Sequence, residues 1–305
     1  MQVGVIGLGR MGFGIAQRMH NASHAVIGFD PNEQTRETFA QAGMQPMPTI
    51  EQLAQQADII WLLVPAGQII DTLLAQLVLL VKPNTIIIDA GNSKFTDSMR
   101  RASDLKQKQI FFIDCGTSGG VHGKQQGYCL MVGGDKKAYT IIEPLLQAVA
   151  APQAYAYIGS SGAGHYVKMV HNGIEYGLMQ AYAEGLHLLH NGSFAQEDLD
   201  LAAITKLWNH GSIVRSWLLQ LTHEIFAEHG QQFNTISGKI AESGMGKWTV
   251  QEAQEHNIEV DVIQAALDVR YESQKTGGNY ATKLVALMRN KFGGHAVETT
   301  DKDAQ

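Results

Sequence analysis

VGVIGLGRMG, residues 3–12, joins a short apolar run to a glycine-rich turn and then to the start of a helical pattern. Gly7, Gly9 and Gly12 stand in the G-x-G-x-x-G spacing. The first permits a tight turn, the second lets the backbone approach a pyrophosphate, and the third allows close helix–strand packing, with the helix N-terminus facing the anion. Glycine-rich turns also arise for structural reasons alone, so the flanks must decide. A strand pattern precedes this turn, a helix pattern follows it, and Asp30 ends a second apolar run, HAVIGFD (24–30), about 20 residues on, where such folds carry an acidic residue. Together they favour a dinucleotide site over a bare turn.

A carboxylate at Asp30 accepts hydrogen bonds from an adenosine ribose and repels a 2'-phosphate. No arginine follows until Arg36, so NAD is the expected cofactor, with NADP possible because Arg10 lies in the glycine loop. The less favoured reading of Asp30 is a turn residue before Pro31. The cofactor candidates are Gly7, Leu8, Gly9, Arg10, Met11, Gly12, Asp30, Val64, Pro65 and Asn92.

Working outward, further apolar runs DIIWLLV (58–64), TIIIDA (85–90) and IFFIDC (110–115) alternate with helical patterns near 10–20, 32–42, 67–80 and 93–107. Short apolar strands separated by helices imply a parallel sheet covered on both faces. YCLMVGG (128–134) and AYAYIG (154–159), around a helix starting near Asp135, extend it. After Gly159 the strand signal stops, and residues 162 to about 291 read as helices with turns at HNGS (190–193) and NHGS (209–212). The expected class is therefore α/β, a Rossmann-like doubly wound parallel sheet followed by an all-α C-terminal domain. SSGAG (160–164) is the expected boundary, with Ser160 or Ser161 as a helix cap. The division is 1–160, 161–297 and a polar, disordered tail, 298–305.

The chain has 305 residues, 45% hydrophobic and 17% charged, which suits a globular protein of one large or two ordinary domains. Net charge is -6 with scattered Lys and Arg, so no footprint for nucleic acid is present, and small-molecule chemistry is expected. Cys115 and Cys129 form no CxxC pair and read as structural thiols of a reducing compartment. The segment IIWLLVPAGQIIDTLLAQLVLLV (59–81) is long enough to span a bilayer, but Pro65, Asp71 and the late onset of helical periodicity favour a buried strand and a packed helix. With the first strand starting at Gln2, a leader has no room. A cytoplasmic protein without membrane association is expected. Metal binding is not expected: His187 and His190 lack a clear third ligand.

GHYVKMVHNGIEYG (164–177) places Lys168, Asn172, Glu175 and Met179 along one face of a helix, with His171 beside them. DAGNS (89–93) ends a strand at the carboxyl edge of the sheet, where ligands of doubly wound folds bind. GTSGGVHG (116–123) is a glycine-rich loop beyond another strand, and GMGKWT (244–249) reads as a loop of the helical domain.

In this order and spacing, SGG, KxxHNxxEYG and GKWT resemble the decarboxylating 6-phosphogluconate dehydrogenases of the shorter, NAD-preferring type, over nearly all of residues 1–297. The resemblance implies oxidation of the substrate's C3 hydroxyl, loss of the C1 carboxylate as carbon dioxide and tautomerisation to ribulose 5-phosphate, without a metal. It implies Lys168 as base and then acid, a role that a buried, neutral lysine can fill, and Glu175 as the acid that protonates carbon. It places Asn92 between nicotinamide and substrate, Ser118, Gly119 and Gly120 at the carboxylate, and His171 and Asn172 near Lys168. It assigns Tyr176, Arg270, Arg289 and His295 to the 6-phosphate, the last two reaching in from a neighbouring subunit, so that at least a homodimer would be obligatory. Taken singly, Ser118 reads as well as a turn residue, Asn92 as part of a helix cap and His171 as an interior histidine. The chain departs from the family's longer members at Ser243 and Met245, where they often carry lysine and threonine, which opens weaker phosphate dependence or an unphosphorylated acid. Two alternatives stand beside this reading: a 3-hydroxyisobutyrate-type dehydrogenase that oxidises without decarboxylating, and a non-catalytic dinucleotide-binding regulator.

Overall fold

The computed structural model describes residues 1–299. The elements run β1 (Gln2–Ile6), α1 (Arg10–Asn21), β2 (Ala25–Phe29), α2 (Glu33–Gln41), β3 (Gln45–Pro46), α3 (Ile50–Gln56), β4 (Ile59–Leu62), α4 (Gln68–Leu77), β5 (Ile86–Asp89), α5 (Phe95–Lys106), β6 (Phe111–Ser118), α6 (Gly123–Gln126), β7 (Tyr128–Gly134), α7 (Lys136–Val149) and β8 (Ala150–Gly159). They continue as helices α8 (Ala163–Asn191), α9 (Leu201–Gly211), α10 (Trp217–His229), α11 (Met245–Glu255), α12 (Asp261–Thr276) and α13 (Tyr280–Gly293). This is the expected α/β class, with one eight-stranded sheet in the order β3-β2-β1-β4-β5-β6-β7-β8.

The sheet buries both faces because its strands alternate with period 2. Val3, Val5, Ile59, Trp61, Ile86 and Ile88 join one core with α1 and α7, whereas Ile6, Ile60, Leu62 and Ile87 join the other with α3 and α4. Each apolar run thus feeds two cores at once.

The sheet is not wholly parallel. β7 runs antiparallel to β6, with Ser118 opposite Cys129 and Ile113 opposite Gly134, while β7 and β8 pair parallel. The connection from 119 to 127 holds only a 3-10 turn, Gly120–His122, and the four-residue α6, too short for a parallel crossover, and Gly127 at φ 88 turns the chain back. The sequence reading also missed β3 and α3, which are two and seven residues long. The apolar segment at 59–81 divides into β4 and α4, and no helix among the described residues is long and apolar enough to cross a membrane.

The chain divides into two compact units, Met1–Met169 and Val170–Gln305, with α8 running across the division. Within the second unit, Tyr176, Met179, Ala183 and Leu186 of α8 share a core with Ile225 and Phe226 of α10 and with Leu284, Val285 and Met288 of α13. His187 and His190 stack on Tyr280. The tail begins in order: Glu298 O accepts from Ser237 N at 2.9 Å, and Thr299 bridges Ile236. Residues 300–305, the rest of the expected disordered tail, lie outside the described residues.

Candidate active site

The glycine turn has the form its sequence predicts. Gly7 adopts φ +92, and a Cβ on Gly12 would lie 1.8 Å from Gly7 O, so both positions exclude a side chain. A Cβ on Gly9 would meet nothing within 4 Å, leaving open space beside the loop for a pyrophosphate at the N-terminus of α1. Leu8, Gly9, Arg10 and Phe13 line a cleft of about 500 Å³ with Thr35, Thr38, Val121 and Lys124. These last four escaped the sequence reading, because α2, the turn at 120–122 and α6 converge there only through the fold.

Asp30 is held in place by the loop it serves. Its Oδ2 accepts from Leu8 N at 2.9 Å and its Oδ1 from Asn32 N at 2.9 Å. A carboxylate offers about four lone-pair positions, so acceptor capacity remains for ribose hydroxyls. Arg36 is occupied at Nη1, which donates to Asp30 O at 2.6 Å and Pro31 O at 3.1 Å.

The loops after β4 and β5 carry Val64, Pro65 and Asn92, and a buried arginine of α5 joins them. Arg101 Nη2 donates to Gly67 O at 3.1 Å, Nη1 to Ser93 Oγ at 3.2 Å and Asp89 Oδ2 at 3.4 Å, and Nε to Asp71 Oδ1 at 2.8 Å. Hydrogen bonding from Arg101 and Arg100 lowers the pKa of Asp71. Asn92 is exposed, and the cap position of α5 belongs to Lys94, so the bland reading of Asn92 as a capping residue fails.

Lys168 is buried, with 6% exposure. A Cβ on Gly116 would stand 2.4 Å from Lys168 Cβ and 2.7 Å from Gly164 O, so the first turns of α8 lie directly on β6 because both surfaces carry glycine. The cap of this helix is Asp114, not Ser160 or Ser161: its carboxylate, with 0% exposure, accepts from Gly162 N at 2.7 Å and His165 N at 2.9 Å. An acidic group suits the positive end of a helix. Ser118, Gly119 and Gly120 close β6, and Gly119 adopts φ +130, which favours glycine. Opposite Ser118, Cys129 is exposed, and partial burial of its thiol raises its pKa against the opposing charge of Lys168. Cys115 is buried, and burial pushes its thiol up to about 12.

Further along α8, His171 Nδ1 lies 3.1 Å from Asn172 Oδ1 and 3.8 Å from Glu175 Oε2. Seven residues separate Lys168 from Glu175, roughly 10 Å of helix axis, with both on one face. Next comes Tyr176, whose ring lies 3.2 Å from the buried Arg270 guanidinium carbon. Its hydroxyl donates to Glu242 Oε1 at 3.2 Å and lies 3.4 Å from Ser243 Oγ. Arg289, also buried, acts electrostatically on Arg270 and feels Tyr176, Glu175 and Glu242. Burial lowers both arginines, Arg270 to about 10. Arg270 Nη2 is buried without a hydrogen-bond partner.

Arg289 lies in the field of Tyr176, Glu175 and Glu242 of its own chain, because α13 packs its buried run Leu284–Arg289 into its own unit. His295 is exposed past α13 with its ring edge toward Phe292. GMGKWT opens helix α11 instead of lying in a loop: Met245 is buried and Lys247 exposed.

A dinucleotide cradle at the carboxyl edge of a Rossmann-like sheet, followed by a helix bearing lysine, histidine and glutamate, defines a nicotinamide-dependent dehydrogenase. Comparison with known proteins gives the family. Residues 2–159 match the NAD binding domain of 6-phosphogluconate dehydrogenase, and residues 164–279 match the 6-phosphogluconate dehydrogenase C-terminal domain. A Haloferax volcanii NAD(+)-dependent, decarboxylating 6-phosphogluconate dehydrogenase is 41% identical, covering 99% of this chain and 100% of that protein. An Escherichia coli decarboxylating 6-phosphogluconate dehydrogenase is 35% identical over 99% of this chain but only 68% of its own length. Among solved structures, Plasmodium falciparum 6-phosphogluconate dehydrogenase superposes with a TM-score of 0.79 at 27% identity, over 95% of this chain and 71% of that one. A Salmonella typhimurium 3-hydroxyisobutyrate dehydrogenase shares the fold, with a TM-score of 0.77 at 21% identity over 93% and 99% of the two chains. The chain belongs to the 6-phosphogluconate dehydrogenase family.

Proposed function

We propose that the protein converts 6-phospho-D-gluconate to D-ribulose 5-phosphate and carbon dioxide, with NAD preferred over NADP and without a metal. The observation that carries this reading is the buried Arg270, its Nη2 unpartnered, beside Arg289 and the Tyr176 hydroxyl. A desolvated guanidinium pair is costly unless an anion completes it, and a phosphate suits the fork geometry of arginine. The cluster adjoins the helix that carries Lys168, His171, Asn172 and Glu175. A 3-hydroxyisobutyrate-type substrate has no phosphate to place there. A non-catalytic regulator would have no use for a buried lysine.

The nicotinamide, when bound, accepts the hydride from C3. Lys168 takes the C3 hydroxyl proton and returns it to the ketone oxygen as carbon dioxide leaves, the polarising task that a divalent cation performs in metal-dependent decarboxylases. Ser118 and the backbone N–H groups of Gly119 and Gly120 hold the carboxylate until it departs. Asn172 and His171 fix the hydroxyls, and Glu175 delivers the proton to the enediol carbon. Residues 1–160 form the cofactor domain and also supply Ser118, Gly119 and Gly120 to the substrate, and residues 161–297 form the substrate domain. Measuring kcat/KM for 6-phosphogluconate, gluconate and 3-hydroxyisobutyrate tests the reading: the first substrate should lead, and a lead for either other acid would reject it.

Cofactor choice rests on Asp30. Replacing it by serine removes the charge facing a 2'-phosphate, so the NADP to NAD ratio of kcat/KM should rise, by roughly tenfold or more for one opposed charge pair. An unchanged ratio would remove Asp30 from the account.

Assembly as a homodimer is part of the proposal, with a new basis. Ile174, Leu178, Ala181, Gly185 and Leu188 are all exposed along α8 at spacings of four and three, a seam that a second copy of the same helix can fill. Leu178→Glu should shift the protein toward monomer in sedimentation, and a wild-type monomer would refute the dimer. Cytoplasmic placement goes with two free cysteine thiols.

A further inference from the structure

At the cluster just assigned to phosphate, one member has the wrong charge. Glu242 precedes α11 and spends one carboxylate oxygen on two donors, the Tyr176 hydroxyl at 3.2 Å and Gly244 N at 2.8 Å. It also acts electrostatically on both buried arginines. A phosphate that is to accept from the Tyr176 hydroxyl must take that donor away from Glu242. We propose that Glu242 is a resident carboxylate that competes with the substrate's phosphate for Tyr176 and for the field of Arg270 and Arg289, and thereby sets how strongly this chain prefers a phosphorylated sugar acid.

Tyr176 has one proton to donate, so Glu242 and phosphate cannot both receive it. Glu242 adds its negative charge to that of Glu175 in the field of the two guanidinium groups, and like charges at close range in a partly desolvated site repel an incoming dianion strongly. Ser243, beside it, supplies a hydroxyl 3.4 Å from the Tyr176 hydroxyl and no compensating charge. The carboxylate is also useful to the empty site, because it partly neutralises two arginines that burial already disfavours.

This inference rests on reading the cluster as the phosphate end, and the experiment separates the two. Glu242→Gln keeps an oxygen to accept from both donors but removes the charge, whereas Glu242→Asp keeps the charge. Two quantities are measured on wild type and both variants: the ratio of kcat/KM for 6-phosphogluconate over gluconate, and the calorimetric Kd of inorganic phosphate. The glutamine variant should raise the ratio and tighten phosphate binding, each by about tenfold, while the aspartate variant stays near wild type. A role confined to holding the loop would lower turnover of both acids together without raising their ratio. If wild type binds phosphate and the glutamine variant binds it equally or more weakly, the inference is overturned and the phosphate site stands. If wild type neither binds phosphate nor prefers the phosphorylated acid, the site and the inference fall together.

Discussion

Replacing Lys168 by methionine is expected to lower kcat for 6-phosphogluconate by roughly 10³-fold, within the range that a positioned acid–base group contributes, with a much smaller change in KM. Methionine keeps the length and apolar stem of the side chain, so packing against Gly116 survives and the loss belongs to the amine. The helix is anchored from outside its own sequence, by Asp114 at Gly162 N and His165 N. Stopped-flow measurement of reduced cofactor gives the size of the effect, and thermal unfolding checks that the variant is folded. A variant retaining more than a tenth of wild-type kcat would exclude Lys168 as the base.

The second large effect is expected at Arg270. Truncating one partner of a buried, charge-assisted contact costs about 2–5 kcal/mol, so Arg270→Met should raise KM for 6-phosphogluconate by roughly 100-fold or more, while gluconate, which lacks the phosphate, is affected far less. Stability should move the other way. Burial depresses the folded-state pKa of Arg270 to about 10, below its value in the unfolded chain. For a base this means that the charged form is penalised by folding. The penalty is fully present below the folded value, hence at neutral pH, and is relieved only as pH rises through it. The methionine variant without ligand should therefore melt no lower than wild type, and phosphate should raise the melting temperature of wild type only. A variant that loses stability and retains its KM would identify Arg270 as a structural residue.

How much of this was legible in the sequence differs by element. The glycine turn was readable because Gly7 and Gly12 leave no room for a side chain, a constraint that shows as spacing. Apolar strands buried on both faces were readable as continuous runs, and the first sheet and its helices fell where the runs did. β3 and α3 were too short to show a period, and the antiparallel turn of β7 depends on loop length, not on strand composition. Lys168, His171, Asn172 and Glu175 could be grouped because one helix carries them.

What remained hidden was set by tertiary pairing. Arg101 gathers the loops of Pro65 and Asn92 from a helix that reads as merely amphipathic. Asp114 looks like one more residue of a strand, and its capping role exists only once α8 lies across β6. The nearness of Arg289 to the field of Tyr176 and Glu242 depends on how the last helix packs, which spacing does not encode. Glu242 stood next to the flagged Ser243, yet only its hydrogen bond to Tyr176 reveals the competition for that hydroxyl.

The central claim is that one helix carries both the base for oxidation and the acid that completes decarboxylation. The most direct measurement is the yield of carbon dioxide per reduced cofactor when the purified protein turns over 6-phosphogluconate with NAD. One carbon dioxide per NADH, with ribulose 5-phosphate as product, is the expected result. NADH formed without carbon dioxide would contradict it and leave α8 with a base and no decarboxylation to assist.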